Sequence, residues 1–158
     1  MQHVYPIALG SNRRHVRHGR PTDVLAAATD ALCELGDVQA VAPVMTSRPI
    51  GPSRRAYANG ALLLESTADP RALLTGLKAM EMRFGLRRGR RWSERTLDLD
   101  IILWSGGMWN DRLLHIPHLH FRARGFVLKP CIAIAAKWRD PVTGLSLSQL
   151  RARLKKYA

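Results

Sequence analysis

Two aspartates alternate with apolar residues in the stretch RTLDLDII, which runs from Arg95 to Ile102. Alternate residues of a β-strand point to the same face, so the stretch predicts that Asp98 and Asp100 lie side by side. Like charges on one face of a sheet repel each other, which indicates a bound cation or contact with solvent. Protein carboxylates typically hold Mg²⁺ together with the phosphates of a substrate. The pair is therefore a candidate Mg²⁺ site, and the alternative is an edge strand whose polar face is simply wet.

A strongly basic segment, GLRRGRRWSER at residues 85–95, directly precedes this strand. Arginine guanidinium groups bind phosphate oxygens through paired hydrogen bonds. Carboxylates for a metal and arginines for phosphate would together form one site. Trp92 in the same segment could stack on a planar heterocycle, or it could be a core anchor.

The composition limits the class of protein. The chain has 158 residues, of which 46% are hydrophobic, so we expect a single globular domain over residues 1–158. No apolar run reaches the ~20 residues of a membrane-spanning helix, and we expect a cytoplasmic protein. The chain carries 25 Lys and Arg against 12 Asp and Glu, a formal net charge of +13. This charge attracts polyanions, but it does not distinguish nucleic acid from nucleotide phosphates or an acidic membrane surface.

The hydrophobic periodicity predicts the order strand, helix, strand, strand, helix, strand, followed by further elements. Pro6 in the first strand indicates an edge position or a bulge. Residues 38–47 and 57–66 are predicted as two strands, and Asp69, Pro70 and Gly85 mark the ends of the second helix. Helical spacing over residues 121–135 is interrupted by Pro130, and residues 146–158 predict a final amphipathic helix. The order is that of a ferredoxin-like βαββαβ fold with an antiparallel sheet, in the α+β class.

Four segments together resemble one enzyme family, 6-hydroxymethyl-7,8-dihydropterin pyrophosphokinase. They are IALGSN at 7–12, RPIGPSRRAYANGALLLES at 48–66, RWSERTLDLDII at 91–102 and IPHLHFRARGFVLKP at 116–130. The segments occur in the order and at spacings like those of the family, and they extend over most of the chain.

The resemblance implies transfer of pyrophosphate from ATP to the hydroxymethyl group of a reduced pterin in folate biosynthesis, with release of AMP. It also implies two Mg²⁺ ions held by Asp98 and Asp100. The residues implied in catalysis are Asp98, Asp100, Arg95, Arg87 and Arg88, and those implied in ATP binding are Glu81, Lys78, Arg95, His118, Arg124 and Trp92. The residues implied in pterin binding are Ser47, Pro49, Ile50, Tyr57, Asn59, Trp92 and Phe126. The family expectation is a monomer.

Each residue type also has a simpler interpretation. Phe126 could belong to the core, Asn59 could satisfy a turn, and His118 could be an ordinary loop histidine. The chain also departs from the family pattern. Leu86 follows Gly85 where an arginine is common, and Lys78 stands where glutamine is expected. Ser93 and Glu94 replace a glycine and a proline, and Leu119 stands where an aromatic residue is common.

Two alternatives to the pyrophosphokinase remain at this point. A basic ferredoxin-like domain could bind RNA, although the chain has only 6% aromatic residues and no aromatic-rich RNA-binding strand motif. The two aspartates would also repel a phosphate backbone, so we expect no nucleic-acid partner. A degenerate relative that binds another heterocycle is the second alternative.

Overall fold

The computed structural model describes residues 1–15, 17–47, 57–85 and 96–157. Within these residues, the main sheet is antiparallel and has five strands. The strands are β1 (His3–Ser11), β2 (Asp37–Val41), β3 (Met45–Ser47), β4 (Tyr57–Ser66) and β5 (Asp98–Ile101). Their order is β2-β4-β1-β5, and β3 pairs with the first residues of β4. This is the predicted ferredoxin-like arrangement, with β5 at one edge.

Two helices cover one face of the sheet, α1 (Pro21–Leu32) and α2 (Pro70–Gly85). Their buried side chains join those of β1, β4 and β5 in one apolar core, in which Leu25, Leu62 and Leu77 are almost completely buried. The predicted start of α2 is confirmed, because Oδ1 of Asp69 accepts a hydrogen bond of 2.8 Å from the N–H of Ala72.

The segment after β5 covers the opposite face. It contains a hairpin of β6 (Trp109–Asn110) and β7 (His115–Ile116), a 3₁₀ turn at Phe121–Ala123, α3 (Gly125–Ala135) and α4 (Leu147–Tyr157). Helix α3 packs on β1 and β4, where Ala8 and Ala61 are buried in the second core. Their small side chains allow the helix to lie close to the sheet. In the described part of the chain, no helix has the length and apolar character needed to span a bilayer.

The prediction that Pro6 marks an edge or bulge is wrong, because β1 lies between β4 and β5. The register that pairs Ile7 with Ile101 places Pro6 opposite Ile102, whose N–H donates to the carbonyl of Pro6 over 3.0 Å. Proline has no N–H to return, and the carbonyl of Ile102 instead accepts from the N–H of His118 over 3.0 Å. The sheet tolerates the proline because a loop supplies the missing donor.

Other boundaries also differ from the sequence expectation. The strand expected over residues 38–47 is divided into β2 and β3, with Pro43 in the break. The helical pattern over residues 121–135 contains a 3₁₀ turn before α3, and Pro130 lies inside α3 rather than ending it. The expected single short strand after Gly107 is the β6–β7 hairpin.

Candidate active site

The two aspartates lie on the same face of β5, as the alternation predicts. The side chains of Leu99 and Ile101 point the other way into the core beneath α1 and α2 and are almost completely buried. Asp98 is exposed, and the side chain of Asp100 is 42% exposed. Because β5 is an edge strand and its carboxylates lie on the α3 side of the sheet, both groups reach solvent without entering the apolar core.

A cleft of about 300 Å³ opens beside the two carboxylates. It brings six of the predicted site residues together, namely Tyr57, Asn59, Asp98, Asp100, Arg124 and Phe126. The remaining lining residues are Ala8, Leu9, Gly10, Ser11, Asn12 and Val127. None of these six has a role predicted from the sequence, although five of them belong to the motif IALGSN at residues 7–12.

The strand register explains how the cleft is formed. Gly10 on the central strand pairs with Asn59 of β4 on one side and with Asp98 of β5 on the other. Neighbouring strands are about 4.8 Å apart, so the amide and the carboxylate stand on strands about 10 Å apart. A β-carbon at position 10 would lie 3.7 Å from Oδ1 of Asn59. The absence of a side chain at Gly10 therefore leaves the floor of the cleft open between them.

Tyr57 and Phe126 supply exposed aromatic surface to the cleft. Tyr57 is 38% exposed and Phe126 is 46% exposed, so neither is an ordinary core residue. Asn59 lies in the middle of β4 and is largely buried, which excludes a turn position for it. The guanidinium carbon of Arg124 lies 5.9 Å from the centre of the Phe126 ring, which places a positive charge beside the aromatic surface.

His118 faces the carboxylate pair, with its Nε2 3.9 Å from Oδ2 of Asp100. Its Nδ1 accepts a hydrogen bond of 3.2 Å from the N–H of His120, so the neutral ring carries its proton on Nε2. Burial lowers the pKa of His118, Asp100 opposes this change, and Arg124 and His120 add to it. The ring is therefore a neutral donor directed toward the carboxylates.

Glu81 and Lys78 do not line the cleft. The side chain of Glu81 is only 8% exposed and lies against the edge of β5, where its Oε1 accepts a hydrogen bond of 2.8 Å from the N–H of Leu99. Nζ of Lys78 lies 3.1 Å from Oε2 of Glu81. Their predicted contacts with the nucleotide stay a prediction.

A buried ion pair fixes the segment that carries Arg124 and Phe126. Oδ2 and Oδ1 of Asp140, which is completely buried, lie 2.6 and 2.8 Å from Nε and Nη2 of Arg122. Burial alone raises the pKa of Asp140, but hydrogen bonds from Arg122, Thr143 and the N–H of Val142 outweigh it and hold the pKa at about 2. No sequence pattern predicted this ion pair between Arg122 and Asp140.

Several predicted residues lie outside the described residues. These are Pro49, Ile50, Arg87, Arg88, Trp92 and Arg95, together with the departures at Leu86, Ser93 and Glu94. Ser47 is the last residue of β3, where it pairs with Tyr57 at the cleft. Leu119 is 62% exposed beside His118.

No three His, Cys, Asp or Glu side chains of the described residues lie together in a group that could hold a metal ion. The described residues omit 16, 48–56, 86–95 and 158. Two adjacent carboxylates on a partly wet face match the way in which proteins bind Mg²⁺, whose other ligands are substrate phosphates and water. Asp98 and Asp100 therefore have the right chemistry for Mg²⁺ that arrives with a phosphorylated ligand.

Comparison with known proteins agrees with this geometry. The family model for 7,8-dihydro-6-hydroxymethylpterin-pyrophosphokinase (HPPK) matches residues 6–136. A Pseudomonas aeruginosa protein named 2-amino-4-hydroxy-6-hydroxymethyldihydropteridine pyrophosphokinase is 38% identical over 155 residues, which cover 96% of this chain and 91% of that protein. A Haemophilus influenzae protein of the same name is 37% identical over 82% of this chain and 80% of its own length.

The fold also matches a solved structure. Wild-type Plasmodium falciparum HPPK-DHPS with SDX-DHP aligns with a TM-score of 0.76 at 12% identity. The alignment covers 99% of this chain and 46% of that chain, so this chain spans less than half of the solved protein. At this identity the likeness shows the fold alone. The match to the family model and the identity to two pyrophosphokinases show that the chain belongs to the 7,8-dihydro-6-hydroxymethylpterin-pyrophosphokinase family.

Proposed function

We propose that the chain transfers pyrophosphate from ATP to the hydroxymethyl group of 6-hydroxymethyl-7,8-dihydropterin and releases AMP, as a step of folate biosynthesis. The observation that carries the proposal is one cleft lined by a carboxylate pair, an amide and two exposed aromatic rings. Family membership supports the same activity and disfavours the RNA-binding alternative.

The pterin side of the cleft consists of Tyr57, Asn59 and Phe126. A flat heterocycle gains most from stacking on aromatic rings, and both rings keep exposed surface in the cleft. The Asn59 amide has both a donor and an acceptor, which suits the edge of a ring that carries both groups. Ser47, Pro49, Ile50 and Trp92 belong to the same proposed subsite.

The phosphate side consists of the carboxylates and the donors around them. Arg124 lines the cleft, and the Nε2–H of His118 is directed toward Asp100, so both can donate to phosphate oxygens. A neutral His118 donates without adding a charge that would compete with Mg²⁺ for Asp100. Arg87, Arg88 and Arg95 are proposed as further phosphate ligands, and Lys78 and Trp92 as nucleotide ligands.

Asp98 and Asp100 would hold two Mg²⁺ ions that enter with ATP, and these ions would neutralise charge on the transferred phosphates. In the reaction, the hydroxymethyl oxygen bonds to the β-phosphorus and its proton is released to water. The bond from that phosphorus to the oxygen shared with the α-phosphate breaks, and AMP leaves with that oxygen. The protein acts mainly by orienting the two substrates and by placing donors around the phosphates.

The test is AMP release from ATP and Mg²⁺ with and without 6-hydroxymethyl-7,8-dihydropterin. We expect pterin-dependent AMP from the wild type and a loss of about 100-fold or more in Asp98→Ala. Asp30→Ala is a matched control, because Asp30 is an exposed aspartate of α1 on the opposite face of the sheet. Folded wild-type protein that forms no pterin-dependent AMP would refute the proposal, and salt-sensitive RNA binding without turnover would favour the alternative.

A further inference from the structure

Among the described strands, only β1 pairs with the edge strand β5, so the backbone groups on the other side of β5 have no strand partner there. The N–H of Ile102 bonds to β1, and successive N–H groups of a strand point to opposite sides. The N–H of Asp100 therefore also faces β1, whereas the N–H of Leu99 faces the open edge. A strand of four residues that pairs with a single strand in the described part of the chain opens more readily than an internal strand.

Glu81 occupies this open edge beside Leu99. Its Oε1 accepts the Leu99 N–H over 2.8 Å, and the pair is buried. A carboxylate accepts a stronger hydrogen bond than a neutral group, and Lys78 at 3.1 Å compensates its charge. Leu99 is the residue between the two aspartates, so this bond holds the peptide units from which both carboxylates project.

We infer that Glu81 is a positioning residue for the carboxylate pair, acting through the Leu99 N–H to hold Asp98 and Asp100 in the orientation that binds Mg²⁺. The inference rests on the proposed function for the identity of the metal and the nucleotide. This positioning role differs from direct contact between Glu81 and the nucleotide. In the positioning role, loss of the Glu81 carboxylate changes the orientation of β5 and does not remove a contact to the ligand.

Two substitutions of equal length separate these roles. Glu81→Gln keeps an acceptor oxygen for Leu99, whereas Glu81→Met fills a similar volume without one. Glu34→Ala is the matched control. Glu34 also forms an ion pair with α2, in which its Oε2 lies 2.7 Å from Nη1 of Arg83, but Glu34 follows α1 and does not contact β5 through this pair. If the methionine variant does not fold, Glu81→Ala replaces it.

The first measurement is amide hydrogen exchange of the full chain by NMR. We expect the Leu99 amide to exchange about tenfold faster in Glu81→Met, and near the wild-type rate in Glu81→Gln and Glu34→Ala. The Asp100 and Ile102 amides, which face β1, serve as internal references. An unchanged Leu99 rate in folded Glu81→Met would overturn the inference.

The second measurement is Mn²⁺ binding followed by electron paramagnetic resonance with saturating α,β-methylene-ATP, which needs no turnover. Substitution of a partner that orients a metal ligand commonly weakens metal binding about tenfold, and we expect this in Glu81→Met with recovery in Glu81→Gln. The inference would be overturned if Glu81→Met bound the nucleotide more weakly while its Mn²⁺ affinity and its Leu99 exchange rate stayed unchanged. That result would favour direct contact between Glu81 and the nucleotide. A wild type that lacks pterin-dependent AMP refutes the proposed function, but the Leu99 exchange still tests the bond.

Discussion

Substitution of Asp140 by asparagine removes a buried charge and keeps the shape of the side chain. In the wild type, Asp140 accepts two hydrogen bonds from Arg122, one from the Thr143 hydroxyl and one from the Val142 N–H. These bonds stabilise the ionised carboxylate against the cost of burial. The substitution therefore tests how much the charge of Asp140 contributes to folding.

The pKa of Asp140 gives the magnitude and the direction. It falls from 3.8 to about 2 on folding, and since one pKa unit equals about 1.36 kcal/mol, the ionised group contributes about 2 kcal/mol. A depressed folded pKa stabilises the protein above the unfolded pKa, and this contribution is lost as the pH falls from about 4 through about 2. The Arg122 side chain is 30% exposed, so its guanidinium group can be hydrated in the variant. The decrease in the free energy of unfolding therefore stays near this value.

The assay is urea unfolding of wild type and Asp140→Asn between pH 7 and pH 2. We expect the difference in free energy of unfolding to be about 2 kcal/mol at pH 7 and to approach zero near pH 2. Asp37→Asn, at an exposed position of β2, is the control and should change stability by less than about 0.5 kcal/mol. A difference that stays constant down to pH 2 would refute the role of charge, because shape alone would then explain the loss.

Three further predictions concern the cleft and the sheet. Asp100→Ala should abolish turnover while the metal-free melting temperature stays unchanged or rises, because one member of a repelling pair is removed; a large fall measured by calorimetry would contradict this. Gly10→Ala should fold, since its β-carbon would meet nothing closer than 3.7 Å, but it should raise the KM for the pterin; an unchanged KM would show that the floor of the cleft is not used. Asp69→Ala should cost about 1 kcal/mol in urea unfolding without changing KM, and wild-type stability would show that the cap of α2 is dispensable.

The sequence predicted the elements that local patterns control. Alternation placed Asp98 and Asp100 on one face of a strand, and the Asp69–Pro70 start predicted α2, because a cap and a periodicity depend on neighbouring residues. Six of the site residues that the family resemblance implies share the cleft, whereas Glu81 and Lys78 do not line it. The fold class followed from the order of elements, before any side chain was placed.

Sequence reasoning missed the contacts between distant parts of the chain. Leu99 lies 18 residues after Glu81, and Asp140 lies 18 residues after Arg122. In each pair the partners lie in separate segments of the fold rather than on one helix or one strand, so no local periodicity connects them. The interior position of Pro6 was missed for a similar reason, because a strand with a proline is tolerated only if another segment supplies a donor, and His118 is remote in sequence.

Pro6 has a consequence for His118, the histidine that faces Asp100. Any other residue at position 6 would present an amide proton to the carbonyl of Ile102, in competition with the N–H of His118. Proline has no amide proton, so position 6 offers no competing donor. The His118 N–H therefore keeps its hydrogen bond to the Ile102 carbonyl at the end of β5. A residue usually regarded as a sheet breaker thus leaves the carbonyl at the end of this strand available to the segment that carries the histidine.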